Sequence, residues 1–201
     1  MCGRYLFSTE EHKEFRQIVR NARQHSGRGG VDPRFPITED IAPTAVAPVL
    51  VAGQGKVTAQ FQRWGIHSPR GNLVINARAE TVCAKAMFRR SIAARRCVIP
   101  ASGYYEWDAG KHKCLFRRTG SALYMAGIYD DEEGENRFVV LTTAPNDTVR
   151  GIHDRMPLIL THEQVRPWLT DPQAALQLLT QVPPDLEHTV EDGQLRLGDF
   201  L

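Results

Sequence analysis

The sequence predicts an α+β fold: many short antiparallel strands forming a twisted, barrel-like sheet core with a few flanking helices. Two observations carry this. Short runs of alternating or continuous apolar residues recur between Gly-, Asp- and Ser-bearing turns, as strands do. Only a few stretches place apolar residues at helical spacing. Length and composition agree, since 201 residues that are 42% hydrophobic and 24% charged suit one domain of an ordinary globular protein.

In chain order, Arg4–Phe7 reads as a first strand. A helix follows, with Ser8 and Glu11 as its capping box and Phe15, Ile18, Val19 and Ala22 on one face. The segment from His25 to Asp40, containing GRGGVDPRFP, reads as a long surface loop. Ala45–Val51 and Lys56–Trp64 read as paired strands around Gly53-Gln54-Gly55, the second alternating Val57, Ala59 and Phe61 with polar residues. A second helix is expected from Glu80 to about Arg95. Strands are then expected at Cys97–Ile99, Tyr104–Trp107, Cys114–Arg117, Ala122–Tyr129 and Arg137–Thr142. Their turns fall at Asp108-Ala109-Gly110, Thr119-Gly120-Ser121 and the acidic Asp130–Asn136. Two small helices close the pattern, near Thr161–Leu169 and Pro172–Gln181, capped by Thr161 and Asp171.

Several classes are set aside. No stretch reaches the roughly 18 continuous apolar residues of a membrane helix, and no charged region leads into an apolar run at the N-terminus. Cys2, Cys83, Cys97 and Cys114 form no C-x-x-C pair, so neither zinc nor a disulfide framework is expected. Reduced thiols in a cytosol fit better, with Cys83, Cys97 and Cys114 as small core residues. The charge is lopsided. Residues 1–100 hold 16 Lys and Arg against 7 Asp and Glu, whereas residues 101–201 hold 9 against 16. A basic first half suggests a polyanion-binding face, unless the halves interleave in space and neutralise each other.

Chemistry concentrates at four places. In Met1-Cys2-Gly3-Arg4-Tyr5, removal of Met1 would leave a 1,2-aminothiol. Its amine can serve as base for its own thiol, or condense with an aldehyde that the thiol then closes into a thiazolidine. The alternative is a Cys that merely follows a retained Met. Asn76-Ala77-Arg78-Ala79-Glu80 offers an amide that can orient a nucleophile or hold an oxyanion, and an Arg that can bind phosphate. It could equally be an Asn cap beside an Arg–Glu surface pair. In Gly103-Tyr104-Tyr105-Glu106-Trp107, alternation puts Tyr104 and Glu106 on one face and Tyr105 and Trp107 on the other. A carboxylate so placed has its pKa raised and can exchange protons near neutrality, unless it lies exposed on an edge strand. His153-Asp154-Arg155-Met156-Pro157 supplies an imidazole in a loop.

Taken in this order, the four motifs resemble the SRAP family, the SOS response-associated peptidase domain. Ala42-Pro43, Trp64-Gly65 and Arg95-Cys97-Pro100 fall at similar landmarks. The resemblance runs from residue 2 to about residue 169, within a single domain, and residues 182–201 form a divergent tail. It implies a sensor of abasic sites in single-stranded DNA, cytoplasmic and monomeric, acting in the DNA damage response without a metal or other cofactor. It also implies a peptidase activity that releases the initiator residue or a short N-terminal peptide. On this resemblance Cys2 is the nucleophile that forms a thiazolidine cross-link, and Asn76 positions its amine and the developing oxyanion. Glu106 assists sugar ring opening and thiazolidine closure, and His153 handles the Schiff-base step and reversal. Arg4 and Arg78 act as phosphate clamps, with Lys85, Trp64 and Tyr105 completing the DNA-binding set.

This chain departs from the family pattern in three places. Asp40 stands where an Asn is usual, a Trp-bearing loop is omitted around His67-Ser68-Pro69-Arg70, and the tail differs. These bear on the strand-separating wedge and the DNA footprint. Two other readings use part of the same pattern. One is an N-terminal nucleophile amidohydrolase or peptidase, and the other is a non-catalytic single-stranded DNA-binding module.

Overall fold

The computed structural model describes residues 2–25, 38–53 and 55–191. Met1, residues 26–37 with the whole GRGGVDPRFP segment, Gln54 and the last ten residues lie outside them. The first half of the chain forms β1 (Tyr5–Ser8), α1 (Lys13–His25), β2 (Thr38–Ile41), β3 (Val46–Gly53), β4 (Lys56–Trp64), β5 (Ile66–His67), β6 (Leu73–Val74), β7 (Asn76–Arg78) and α2 (Ala86–Ala94). The second half forms β8 (Arg96–Ala101), β9 (Gly103–Trp107), β10 (Lys113–Arg117), β11 (Leu123–Glu132), β12 (Glu135–Thr143), α3 (Asp147–Arg150), β13 (Met156–Pro157), β14 (Ile159–Leu160), α4 (His162–Thr170), α5 (Pro172–Leu178) and β15 (Glu187–Glu191).

The core is a closed barrel. β12, β4, β3, β8 and β11 are neighbours in that order, and β11 pairs back onto β12. Trp64, Phe138, Ile99 and Met125 are fully buried there, with Trp64 stacked on Phe138 at 6.1 Å. Helix α1 lays Phe15, Val19 and Ala22 against the barrel. A second sheet, in the order β15-β10-β9-β1-β2, is joined to the barrel at Ser102, where the chain passes from β8 into β9. The Ser102 N–H donates to the Leu6 carbonyl, and its hydroxyl accepts from the Ser8 N–H. Gly103 opens β9 because a Cβ there would meet the Phe116 carbonyl at 2.7 Å, so β9 packs tightly on β10.

Two pairings are parallel rather than antiparallel. β4 runs beside β12 only at Arg63 and Trp64, then leaves at Gly65, whose φ of +112° and close approach to Leu73 exclude a side chain. After the β5–β6 hairpin the chain returns as β7 and takes up the vacated edge of β12, pairing Asn76 with Val140 and Arg78 with Thr142. This return is what delivers Asn76 to the barrel mouth.

Several expected boundaries move. The Ser8 hydroxyl accepts from the Glu11 N–H at 3.3 Å, but it closes a turn ahead of the helix, which starts at Lys13. Helix α2 begins at Ala86 because Arg78–Lys85 winds through turns first. Within the expected loop, Thr38–Ile41 is a strand on β1. Within the divergent tail, Glu187–Glu191 is an edge strand on β10. The acidic turn narrows to Glu133-Gly134 as β11 and β12 extend toward it. Cys83 is exposed rather than in the core, since it lies in the turns before α2, whereas Cys97 and Cys114 are buried.

The two oppositely charged halves interleave in part. Arg63 pairs with Glu135, Arg95 with Asp130, Arg155 with Glu80 and Arg117 with Glu11. The first two pairs offset positive charge of the first half with negative charge of the second, whereas the last two join the minority charges of each half.

Candidate active site

Cys2, Asn76, Glu106 and His153 come from four separate elements and meet where the barrel mouth abuts the second sheet. Cys2 precedes β1 and is fully buried. The Asn76 side-chain amide donates to its carbonyl at 2.8 Å. Glu106 lies on the inner face of β9 at 3% exposure, beside the fully buried Tyr104. Tyr105 and Trp107 point to the other face, and Trp107 is 41% exposed. His153 follows α3, a short helix capped by Asn146, and brings Nε2 to 3.6 Å from Glu106 Oε2.

The histidine's orientation follows from its neighbours. The Arg155 N–H donates to His153 Nδ1 at 3.0 Å, which makes Nδ1 an acceptor and leaves the proton of the neutral ring on Nε2, toward Glu106. Asp154 Oδ1 also stands 3.0 Å from Nδ1, but that carboxylate is 87% exposed and well solvated, so the backbone donor dominates. Burial raises Glu106 above its ordinary carboxylate range, against the opposing pull of nearby positive charge. Burial, and then the charge of Glu106, push the Cys2 thiol well up. At neutral pH the sulfur is a thiol, not a thiolate.

Arg155 and Glu80 sit in two of the motifs, yet the sequence read Glu80 only as a surface partner within its own motif and gave Arg155 no role. The Arg155 guanidinium grips both Glu80 oxygens, at 2.6 and 2.9 Å, and donates to the Thr142 carbonyl at 2.6 Å. It holds Glu80 below its ordinary value and ties the His153 loop to the end of the Asn76 strand. No local signal marked the pair, since its partners lie 75 residues apart.

The expected DNA contacts fare unevenly. Trp64 is fully buried and donates its indole N–H to the Ile75 carbonyl, so it is part of the barrel core and not a stacking surface. Tyr105 is 5% exposed under the Lys113 ammonium, 3.7 Å from its ring centre, and offers no open face to a base. Arg4 pairs with Asp40 at 2.9 Å on the outer face of the sheet, away from Glu106. Arg78 is exposed, two residues beyond Asn76 on the same side of β7, and its side chain has no hydrogen bond or ion pair among the described residues. Lys85 is exposed at the start of α2. An open groove lined by Ala144, Pro145, Arg150, Gly151, Ile152, His153 and Asp154 borders the site. Among the described residues no three His, Cys, Asp or Glu gather as metal ligands, and no helix is long and apolar enough to cross a membrane.

Comparison with known proteins gives a consistent answer. The abasic site processing protein YoqW of Bacillus subtilis (strain 168) is 33% identical over 208 residues, covering 92% of this chain and 89% of the relative. A crystal structure of a Bacteroides thetaiotaomicron protein matches with a TM-score of 0.63 at 28% identity over 75% of each chain. A phage-related protein of Bordetella bronchiseptica shares the fold over 94% of both chains, with a TM-score of 0.69 at 22% identity. The model of the SOS response associated peptidase (SRAP) family matches residues 1–191, and the chain belongs to that family.

Proposed function

We propose that this protein captures abasic sites in single-stranded DNA covalently, through the aminothiol that Cys2 presents once Met1 is removed. The observation that carries the reading is a buried Cys2 whose carbonyl is held by the Asn76 amide and which lies beside the Glu106 carboxyl that His153 faces. That relatives are named abasic site processing proteins supports the choice of substrate.

The order of steps follows from the pKa shifts. With the thiol held protonated by burial and by Glu106, the Cys2 amine is the first nucleophile. It adds to the C1′ aldehyde of the ring-opened sugar, and the carbinolamine loses its oxygen as water. Glu106, raised above its ordinary value by burial, is the acid that supplies the departing proton. The sulfur then bonds to the iminium carbon, the C=N electron pair returns to nitrogen, and the thiol proton passes to the Glu106 carboxylate. His153, with its Nε2 proton toward Glu106, returns protons when the adduct reverses. Asn76 fixes the Cys2 backbone so that the amine meets the aldehyde in one orientation. The resulting linkage shields the lesion.

The test is incubation with abasic single-stranded DNA followed by a denaturing gel and intact mass measurement. Active protein should lack Met1 and carry one strand per chain. Cys2→Ala should remove the stable adduct while retaining non-covalent binding. Met1 retained in active protein, or an equally efficient Cys2→Ala cross-link, would overturn the mechanism. The family's description as peptidases favours a second reading, in which the same aminothiol hydrolyses peptides. Release of N-terminal peptides with no DNA adduct would support it.

A further inference from the structure

The rings of Tyr5 and Tyr104 are both fully buried, and both hydroxyls lack a hydrogen-bond partner among the described residues. An unpaired buried hydroxyl costs about 1–3 kcal/mol. Packing does not explain either one. Tyr104 stacks on Phe116 at 5.0 Å and Tyr5 meets Trp64 at 5.4 Å, contacts that a phenylalanine would make as well. The two residues stand opposite each other in the β1–β9 register and so share a face. Glu106 follows Tyr104 by two residues on that face, and Cys2 precedes Tyr5 by three.

The sulfur needs what these hydroxyls offer. In its resting state the Cys2 thiol donates to the Arg4 carbonyl at 3.9 Å. Once it gives up its proton it becomes an anion buried beside Glu106, in need of donors. We propose that Tyr104, with Tyr5 opposite it, donates a hydrogen bond to the Cys2 sulfur as it turns anionic during thiazolidine closure. This rests on the aminothiol reading above. The phenols serve as donors and not as acids, because burial, and then the nearby Cys2 sulfur, raise both well above their ordinary value. In the step itself, the carbon–sulfur bond forms, the C=N pair moves to nitrogen, and the thiol proton goes to the Glu106 carboxylate. The tyrosine protons stay in place and the unpaired hydroxyls turn to donate to the sulfur.

The test compares wild type, Tyr104→Phe, Tyr5→Phe and the double variant, each confirmed by mass to start at Cys2. Each is reacted with acetaldehyde and, separately, with abasic single-stranded DNA across a pH range. Tyr104→Phe should close the ring about tenfold more slowly, and the double variant about a hundredfold. The alkaline limb of the rate–pH profile should move to higher pH, which a purely structural change would not cause. Melting temperatures should hold or rise, because an orphan hydroxyl has been removed. Rates within twofold of wild type with an unmoved pH profile would overturn the proposal. So would a variant that fails to fold, since that hydroxyl would then have a structural partner. Wild-type protein that reacts with acetaldehyde but not with abasic DNA would sink the substrate assignment and leave the tyrosine comparison intact. Inertness to both would end both.

Discussion

The two faces of β9 hold similar side chains and treat them in opposite ways. On the outer face, Tyr105 lies under Lys113, and Lys113 reaches Glu191 at 2.9 Å and Asp40 at 3.9 Å, while Asp40 also holds Arg4. These charges stand in or near water, and such pairs contribute about 0–1 kcal/mol each. On the inner face a single carboxylate, Glu106, sits almost sealed from solvent between Tyr104, Cys2 and His153. Charge that faces water is solvated and paired into neutrality. Charge kept from water keeps a shifted proton affinity, and with it the capacity to act on a substrate.

The strongest way to break that contrast is Glu106→Gln, which keeps the shape and removes titration. Adduct formation should slow by about 10²–10⁴. The same variant should alter stability in a pH-dependent way. Folded Glu106 releases its proton at higher pH than the unfolded chain does, so folding takes up a proton and wild-type stability falls as pH rises from 4.5 toward the raised value. Glu106→Gln should flatten that fall, and melting curves across this window measure it. Parallel wild-type and variant curves would mean that Glu106 is better solvated than its burial indicates.

A smaller effect separates the two arginines. Arg78 is exposed beside Asn76 with no ion pair among the described residues, whereas Arg4 is already committed to Asp40. Arg78→Ala should reduce the salt dependence of DNA binding by about one phosphate contact, and Arg4→Ala by less. Equal slopes from titrations of both variants would show that DNA displaces Asp40 from Arg4. The smallest change is expected on the outer face. Tyr105→Phe and Lys113→Ala should alter stability by about 1 kcal/mol or less and leave the adduct rate where it was. A large loss of rate in either would join the two faces into one site.

The strands of the barrel were legible because their alternation reports a buried side. Val46–Gly53 and Lys56–Trp64 fall within two residues of expectation. Thr38–Ile41 and Glu187–Glu191 were not, because an edge strand held mainly by backbone hydrogen bonds leaves no apolar pattern; all five residues of the latter are exposed. The motifs bearing Asn76, Glu106 and His153 stood out as polar groups in apolar or turn settings. Trp64 and Tyr105 misled because residue type does not say which way an aromatic side chain faces. Trp64 closes the barrel and Tyr105 lies beneath a lysine. The tie between Arg155 and Glu80 crosses 75 positions of chain and exists only once the barrel is closed.

Asn76 stands on a strand of three residues, held to β12 by parallel pairing alone. Side chains on a strand alternate, so a one-residue slip of Asn76–Arg78 against β12 would trade Asn76 for a neighbour at the barrel mouth, whereas the hairpin loop ahead of it can change length without moving that register. The barrel would still close, since β7 is not one of its five staves, and a folding assay would register nothing. A slip of that strand is thus a lesion visible to chemistry and invisible to spectroscopy. Variation in loop length among relatives should accordingly stop short of Ile75, because the reading frame of one short strand is where this protein stores its aim.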